Sequence, residues 1–403
     1  PSAGADIDAV GAISSVCLVA APTLSLISAS DAAVTLSWND TSGGTTGAII
    51  ERQDGGTGPW RRVRQVAAGT ISTTDYVLVP STNYAYRVRI IGAGGCESPY
   101  SPLLEVRTAP ARPANLRTGI ISPRSVELLW DDVSSDADGF VVERAAVGGA
   151  FAAIGGTGSV PVGEPRFVDD DDDTVFDCTT YRYRVRSARD GSWSRPTTPI
   201  SATTRALPPS GLVVEQVTSR SVFLSWLDPS TTNAGFVVQR NLSGVWTNVA
   251  TLAENESWFS DYDGRAGHTM VEGQRYAYRV KSVCGTPDAD GNFPINSAWR
   301  SISLTTPPAA PSELVQRTSA DGEPILAWID NAASETGFVV EYQVETDKWE
   351  QLGPNVPARI GKGRTATMAL GGLLPRGEYV FRVRAFGPYG TTSMYSNVAF
   401  GKI

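Results

Sequence analysis

The run Asp169–Asp173 holds the densest set of residues that could do chemistry: consecutive carboxylates beside Phe167. Oxygen-rich clusters of this kind hold Ca²⁺ when backbone carbonyls complete the shell. Asp169, Asp170, Asp171, Asp172 and Asp173 are therefore the calcium candidates, but they lack the alternating Asp-x-Asp-x-Asp-Gly spacing that wraps the ion, and a solvated loop is the simpler expectation. The single histidine, His268, lies in the Gly-rich stretch DGRAGHTM with no Cys, Ser or acidic partner at motif spacing, and reads as a surface loop residue. No HExxH, phosphate-cradling Gly loop, dinucleotide fingerprint or Cys-x-x-Cys pair occurs, and the ligand count excludes a zinc-type site. These absences predict no catalytic residue, no cofactor and no enzyme.

Charge and hydropathy narrow the partners. A formal net charge of -8 and a pI near 4.9 disfavour nucleic acid, whose binding needs a concentrated basic surface. No stretch approaches the ~18 uninterrupted apolar residues of a membrane span. Arginines do recur in four related phrases, beginning Tyr84-Ala-Tyr-Arg-Val-Arg, Tyr181-Arg-Tyr-Arg-Val-Arg, Tyr276-Ala-Tyr-Arg-Val-Lys and Tyr379-Val-Phe-Arg-Val-Arg. They could form a polyanion stripe, yet Glu51, Glu143, Gln239 and Glu341 are placed to pair with them across neighbouring strands, which is the simpler reading.

The elements that must position these residues are themselves repeated. Trp38/Gly47, Trp130/Gly139, Trp226/Gly235 and Trp328/Gly337 share one spacing, and each Gly opens an apolar run: GAIIER, GFVVER, GFVVQR or GFVVEY. Constant spacing means one unit has been copied, at intervals of roughly 100 residues, a size that can bury its own core. Alternation of period two, abundant turn residues and the lack of an amphipathic helix predict an all-β fold. Pro-rich joins at APARPANL, ALPPSGL and TTPPAAPSEL predict repeats over 21–108, 109–205, 206–306 and 307–403, preceded by an extension, 1–20, that is a linker or an extra strand. The first residue, Pro1, is the expectation for a processed or truncated polypeptide.

These residues resemble the fibronectin type III domain, a seven-stranded immunoglobulin-like sandwich of two antiparallel sheets. The resemblance implies four tandem sandwiches forming an elongated rod. It makes Trp38, Trp130, Trp226 and Trp328 core residues on the second strand, and Tyr84, Tyr181, Tyr276 and Tyr379 corner residues at the start of the sixth. The preceding turn, Leu-x-Pro-x-x-x-Tyr in the family, is kept at Leu78-Val-Pro80 and Leu373-Leu-Pro375, whereas Asp177 and Glu272 stand where the other two copies would have Pro. SPYS at 98–101, SWS at 192–194, SAWRS at 297–301 and SMYS at 393–396 read as entries to the last strand. Trp60, Trp193, Trp246, Trp258, Trp299 and Trp349 are the better candidates for exposed aromatics.

Four cysteines without a metal motif suggest an oxidising compartment, the alternative being four buried thiols. The poles of the resembled fold imply the pairs Cys17–Cys96 and Cys178–Cys284. The expectation for function is a non-catalytic, secreted or cell-surface structural or adhesive protein of bacterial type. It would act as spacer, linker or subunit of a surface assembly or filament, with other proteins or copies of itself as partners. The alternative is an accessory arm, spacer or carbohydrate-binding, of a secreted polysaccharide-degrading enzyme, with polysaccharide as partner.

Overall fold

The computed structural model describes residues 19–41, 43–44, 46–155, 160–265, 268–358 and 361–403. By its contacts the chain divides into two compact units, Pro1–Val175 with Thr180–Thr203, and Phe176–Thr179 with Thr204–Ile403. Each unit holds two β-sandwiches.

In the first sandwich Leu24–Ala29, Ala33–Trp38 and Ser72–Tyr76 form a three-stranded antiparallel sheet. Trp60–Ala67, Gly47–Asp54, Asn83–Ile91 and Leu104–Arg107 form the facing four-stranded one. The third repeats this order with Ser210–Val217, Ser221–Leu227 and Trp258–Tyr262 against Val245–Leu252, Gly235–Leu242, Arg275–Val283 and Arg300–Thr305. In the second, Ala114–Ile121, Val126–Asp131 and Arg166–Asp169 face Gly139–Ala146 and Thr180–Arg189, whose flanking strands are each split in two. The fourth sets Ser312–Thr318, Pro324–Ile329 and Thr365–Ala369 against Gly337–Glu345, Glu378–Phe386, Ala399–Lys402 and an edge broken at Gly353-Pro354, where proline has no N–H for the ladder.

Alternation drives this arrangement. In Ala33–Trp38 and Val126–Asp131 every second side chain is buried, so one face of each strand must meet another sheet. Four separate apolar clusters result, centred on Trp38, Trp130, Trp226 and Trp328. Three of these indoles meet a phenylalanine edge-on, Phe140, Phe236 or Phe338, at 5.3 to 5.4 Å between centroids. Ala48 holds that place in the first repeat. The recurrent glycine has a steric cause: a Cβ at Gly47, Gly235 or Gly337 would collide with the carbonyl oxygen of Val66, Leu252 or Val356 on the adjacent strand.

The last strand begins later than the serine motifs suggested. Regular pairing starts at Leu104, after Pro99 and Pro102 have each withheld an N–H; the Ser98 and Ser101 hydroxyls instead accept the N–H groups of Ile90 and Val88 at 2.9 and 3.1 Å. Ser393 and Ser396 do the same for Ala385 and Val383. In the second repeat the counterparts are Ser194 and Thr197, bonded to the N–H groups of Ser187 and Val185. The SWS stretch is therefore out of register with its supposed equivalents: Ser192–Trp193 extends a hairpin with Ala188 and Arg189.

Candidate functional site

Arginine-stacked faces. The outward face of each four-stranded sheet carries an arginine against aromatic rings. Arg87 lies between Trp60 and Tyr100, at 4.1 and 3.8 Å from their centroids; Arg279 lies between Trp246 and Trp299, and Arg382 between Trp349 and Tyr395. Arg184 has Phe151 alone at 4.2 Å, because Pro196 occupies the second aromatic place. Each guanidinium also bonds the neighbouring strand: Arg87 to Glu51 at 2.7 Å, Arg184 to Glu143 at 2.5 Å, Arg279 to Gln239 at 2.5 Å and Arg382 to Glu341 at 2.6 Å. Burial opposes ionisation of Glu51 and Glu143, but bonds from Arg87 and Tyr100 in one case, and from Arg184 and Arg186 in the other, outweigh it and hold both carboxyls below the usual range. In the first, second and fourth repeats a carboxylate thus offsets the ladder within the sheet, whereas in the third Arg279 bonds the neutral Gln239 amide; Trp60, Trp246 and Trp349 each have a ring face covered. Trp193 and Trp258 are the tryptophans about half exposed, at 45% and 53%.

Buried Arg–Asp–Tyr triads. One constellation gives no motif in the sequence. Arg52, Asp75 and Tyr86 converge from three strands, with Asp75 Oδ2 accepting from Arg52 at 2.8 Å and from Tyr86 at 3.0 Å. Arg144, Asp169 and Tyr183 repeat this, as do Arg240, Asp261 and Tyr278. Burial, and then the adjacent carboxylate, push all three tyrosine hydroxyls well above their ordinary range. In the fourth repeat Tyr342, Leu370 and Phe381 occupy the same register, so the whole triad is exchanged for less polar side chains. His268 belongs to this network and not to the surface: its side chain is 10% exposed, and Nδ1 lies 2.6 Å from Asp261 Oδ1.

The acidic run is divided by the same geometry. Asp169 is buried and spends both oxygens on Arg144, while Asp170 to Asp173 lie exposed. Asp171 closes a local turn on the Asp173 N–H and the Thr174 hydroxyl, and bonds from Thr174 and Asp173 lower its carboxyl. Among the described residues no group of three or more metal-ligating side chains converges.

Joints and corners. Tyr84 and Tyr276 accept the N–H groups of Val79 and Val271 at 3.0 and 2.9 Å; Tyr181 and Tyr379 donate to the carbonyls of Thr174 and Pro375 at 3.0 and 3.1 Å. The two departures from Leu-x-Pro have a visible use. Asp177 accepts from the Ser230 and Thr232 hydroxyls at 2.6 and 2.8 Å, and Glu272 accepts the N–H groups of Ala309 and Ala333 at 2.7 and 2.8 Å. Between the first two sandwiches Asp136 takes Ser81, Arg107 and Arg189. Beside Asp177, Cys178 is disulfide-bonded to Cys284, with their Cα atoms 5.3 Å apart. Cys96 is also disulfide-bonded; the expected pair Cys17–Cys96 falls on Cys17, outside the described residues, as does most of the extension 1–20.

Similarity to known proteins. No family model matches the chain. It is similar to Exoglucanase B of Cellulomonas fimi, 27% identical over 304 residues, 72% of this chain and 25% of that protein. It is also similar to two Gallus gallus proteins, tenascin (27% over 212 residues, 51% and 10%) and Protein sidekick-1 (25% over 316 residues, 73% and 14%). The chain thus spans a quarter or less of the length of these relatives. Among solved structures, a two fibronectin type-III domain segment from chicken tenascin covers 49% of this chain and 100% of that one at 18% identity, TM-score 0.38. The chicken CNTN1 FN1-FN3 domains cover 71% and 98% at 16% identity, TM-score 0.22. Repeated two-sheet topology, a bonded corner tyrosine in every copy and these sequence relatives together make the chain a tandem array of four fibronectin type III domains.

Proposed function

We propose that this array is a non-catalytic, extracellular spacer or linker, jointed at the Pro-rich stretches that open at 109, 206 and 307. One observation carries the reading: Asp136 and the two residues that depart from the Leu-x-Pro turn, Asp177 and Glu272, each bond groups of a neighbouring repeat. The Cys178–Cys284 disulfide supports an oxidising compartment, where such bonds persist. Thiol trapping in the source cells tests this. Cys178 and Cys284 are expected to resist alkylation until reduced, in protein accessible to protease from outside the cell; alkylation of both without reductant contradicts the proposal.

The similarity to Exoglucanase B, over 72% of this chain, favours a second reading as the accessory arm of a polysaccharide-degrading enzyme. Cosedimentation of the chain with insoluble cellulose, and its retention on the particles after washing, is the result expected there.

A further inference from the structure

A cleft of about 440 Å³, within the ~300–1,000 Å³ range of small-ligand sites, opens between the first and second sandwiches. Trp193 stands in its wall. Of the tryptophans outside the four cores, Trp60, Trp246, Trp299 and Trp349 are stacked by cationic side chains and Trp258 leans on Phe223 at 5.9 Å. Among the described residues Trp193 has neither a ring nor a cation against it, and it is 45% exposed. Its backbone is nonetheless fixed, since Ser192–Trp193 pairs with Ala188 and Arg189 across the tight turn Asp190-Gly191, both residues at positive φ. On the opposite wall the first strand carries a bulge between Leu26 and Ser28. Ser28 and Ser192 line the cleft with hydroxyls that have no protein partner among the described residues.

The charged side chains of the cleft are already engaged. The cleft contains Arg186 and Arg195, but Arg186 is paired with Glu143 at 3.1 Å. Arg195 is held by Asp31 through its backbone N–H at 2.8 Å and its guanidinium at 3.0 and 3.2 Å. Asp31 thus answers the charge of Arg195, while Arg186 shares Glu143 with Arg184, so both guanidiniums are already engaged by carboxylates. What remains is an unstacked indole, free hydroxyls and guanidinium edges that can still donate. That is the complement of a molecule with a flat C–H face and a rim of hydroxyls.

We propose that the cleft between the first two sandwiches binds a neutral oligosaccharide, with Trp193 as the stacking platform and Ser28, Ser192 and the edges of Arg186 and Arg195 as hydrogen-bonding groups. Arg195 and Asp31 come from different repeats, so the site exists only when both are present. The proposal does not depend on the spacer reading, which stands whether or not a glycan binds here.

Isothermal titration of the full chain with hexasaccharides of cellulose, xylan and chitin, and with hexagalacturonate as an anionic control, tests it. At least one neutral oligosaccharide is expected to bind, with affinity falling about tenfold in Trp193→Ala and staying unchanged in Trp258→Ala. Calorimetric melting of each variant confirms that it is folded, and Trp193→Phe, which retains a ring, is expected to recover part of the loss. No binding by any neutral hexasaccharide, binding only of the anion, or equal affinity in Trp193→Ala would overturn the proposal.

Discussion

A carboxylate removed from water needs a donor or cation for the lone pairs it keeps. Asp261, fully buried, has Arg240, Tyr278 and His268. Removing one partner of such a set strands the others, whereas replacing all of them with apolar groups costs little. The fourth repeat has made the second change, with Tyr342, Leu370 and Phe381 in the triad register. Asp261→Ala is therefore expected to destabilise the third repeat by about 3–5 kcal/mol, while the combined Arg52→Tyr, Asp75→Leu and Tyr86→Phe exchange leaves the first within about 1–2 kcal/mol of the parent. Scanning calorimetry of the intact chain checks both. A larger loss from the triple exchange than from Asp261→Ala would refute the account. The triads were illegible in the sequence because their members sit on three strands and meet only after the sheets face each other; a faint trace survives in Asp75-Tyr76 and Asp261-Tyr262. The same reason misled the reading of His268, whose acidic partner lies in space and not at motif spacing.

At the level of strands and loops, copies of one element show what a single exchange does. In the third repeat, Asn233 donates its amide to both oxygens of Asp228 at 2.9 Å. The equivalent position before Gly337 is Glu335, facing Asp330, and neither Asp330 Oδ2 nor Glu335 Oε2 has a donor among the described residues. Burial, and to a lesser degree the charge of Glu272, raises both carboxyls above the ordinary carboxylate range, and Asp330 raises that of Glu335 further. A carboxyl whose folded value is raised binds more protons folded than unfolded, so this loop's contribution is intact below about pH 4 and declines as pH rises through the raised values. Glu335→Gln, which supplies the missing donor, is expected to raise the melting temperature of the fourth repeat at neutral pH and to flatten its dependence on pH above about pH 4. A variant no more stable than the parent at pH 7 contradicts this. Strands were the most legible level, because period-two burial and the steric need for Gly47, Gly235 and Gly337 are local properties. Where the last strand begins was not: Pro99 and Pro102 hand the pairing to serine hydroxyls, which the alternation cannot reveal.

For the whole molecule, what matters is how side chains are divided between holding a repeat together and joining repeats. Asp177 and Glu272 were visible in the sequence only as interruptions of the Leu-x-Pro turn, and their partners, Ser230, Thr232, Ala309 and Ala333, lie in the repeats that follow. The Cys178–Cys284 bond adds a covalent tie across a sequence separation of 106 residues, a constraint that typically stabilises by ~2–4 kcal/mol. Burial has a similar economy: the arginines that might have formed a polyanion stripe are folded onto Trp60, Trp246 and Trp349.

Single-molecule stretching of the intact chain without reductant, beside a Cys178→Ser/Cys284→Ser variant, tests most directly the claim that four sandwiches are joined in series with one covalent tie. The account predicts four separate unfolding events in the variant, fewer full-length ones in the parent because the bond shields the residues between Cys178 and Cys284 from the force, and a final length greater in the variant by roughly 350–380 Å, at ~3.3–3.6 Å for each residue released from a separation of 106. Equal final lengths, or one collapse in place of four events in the variant, would contradict it.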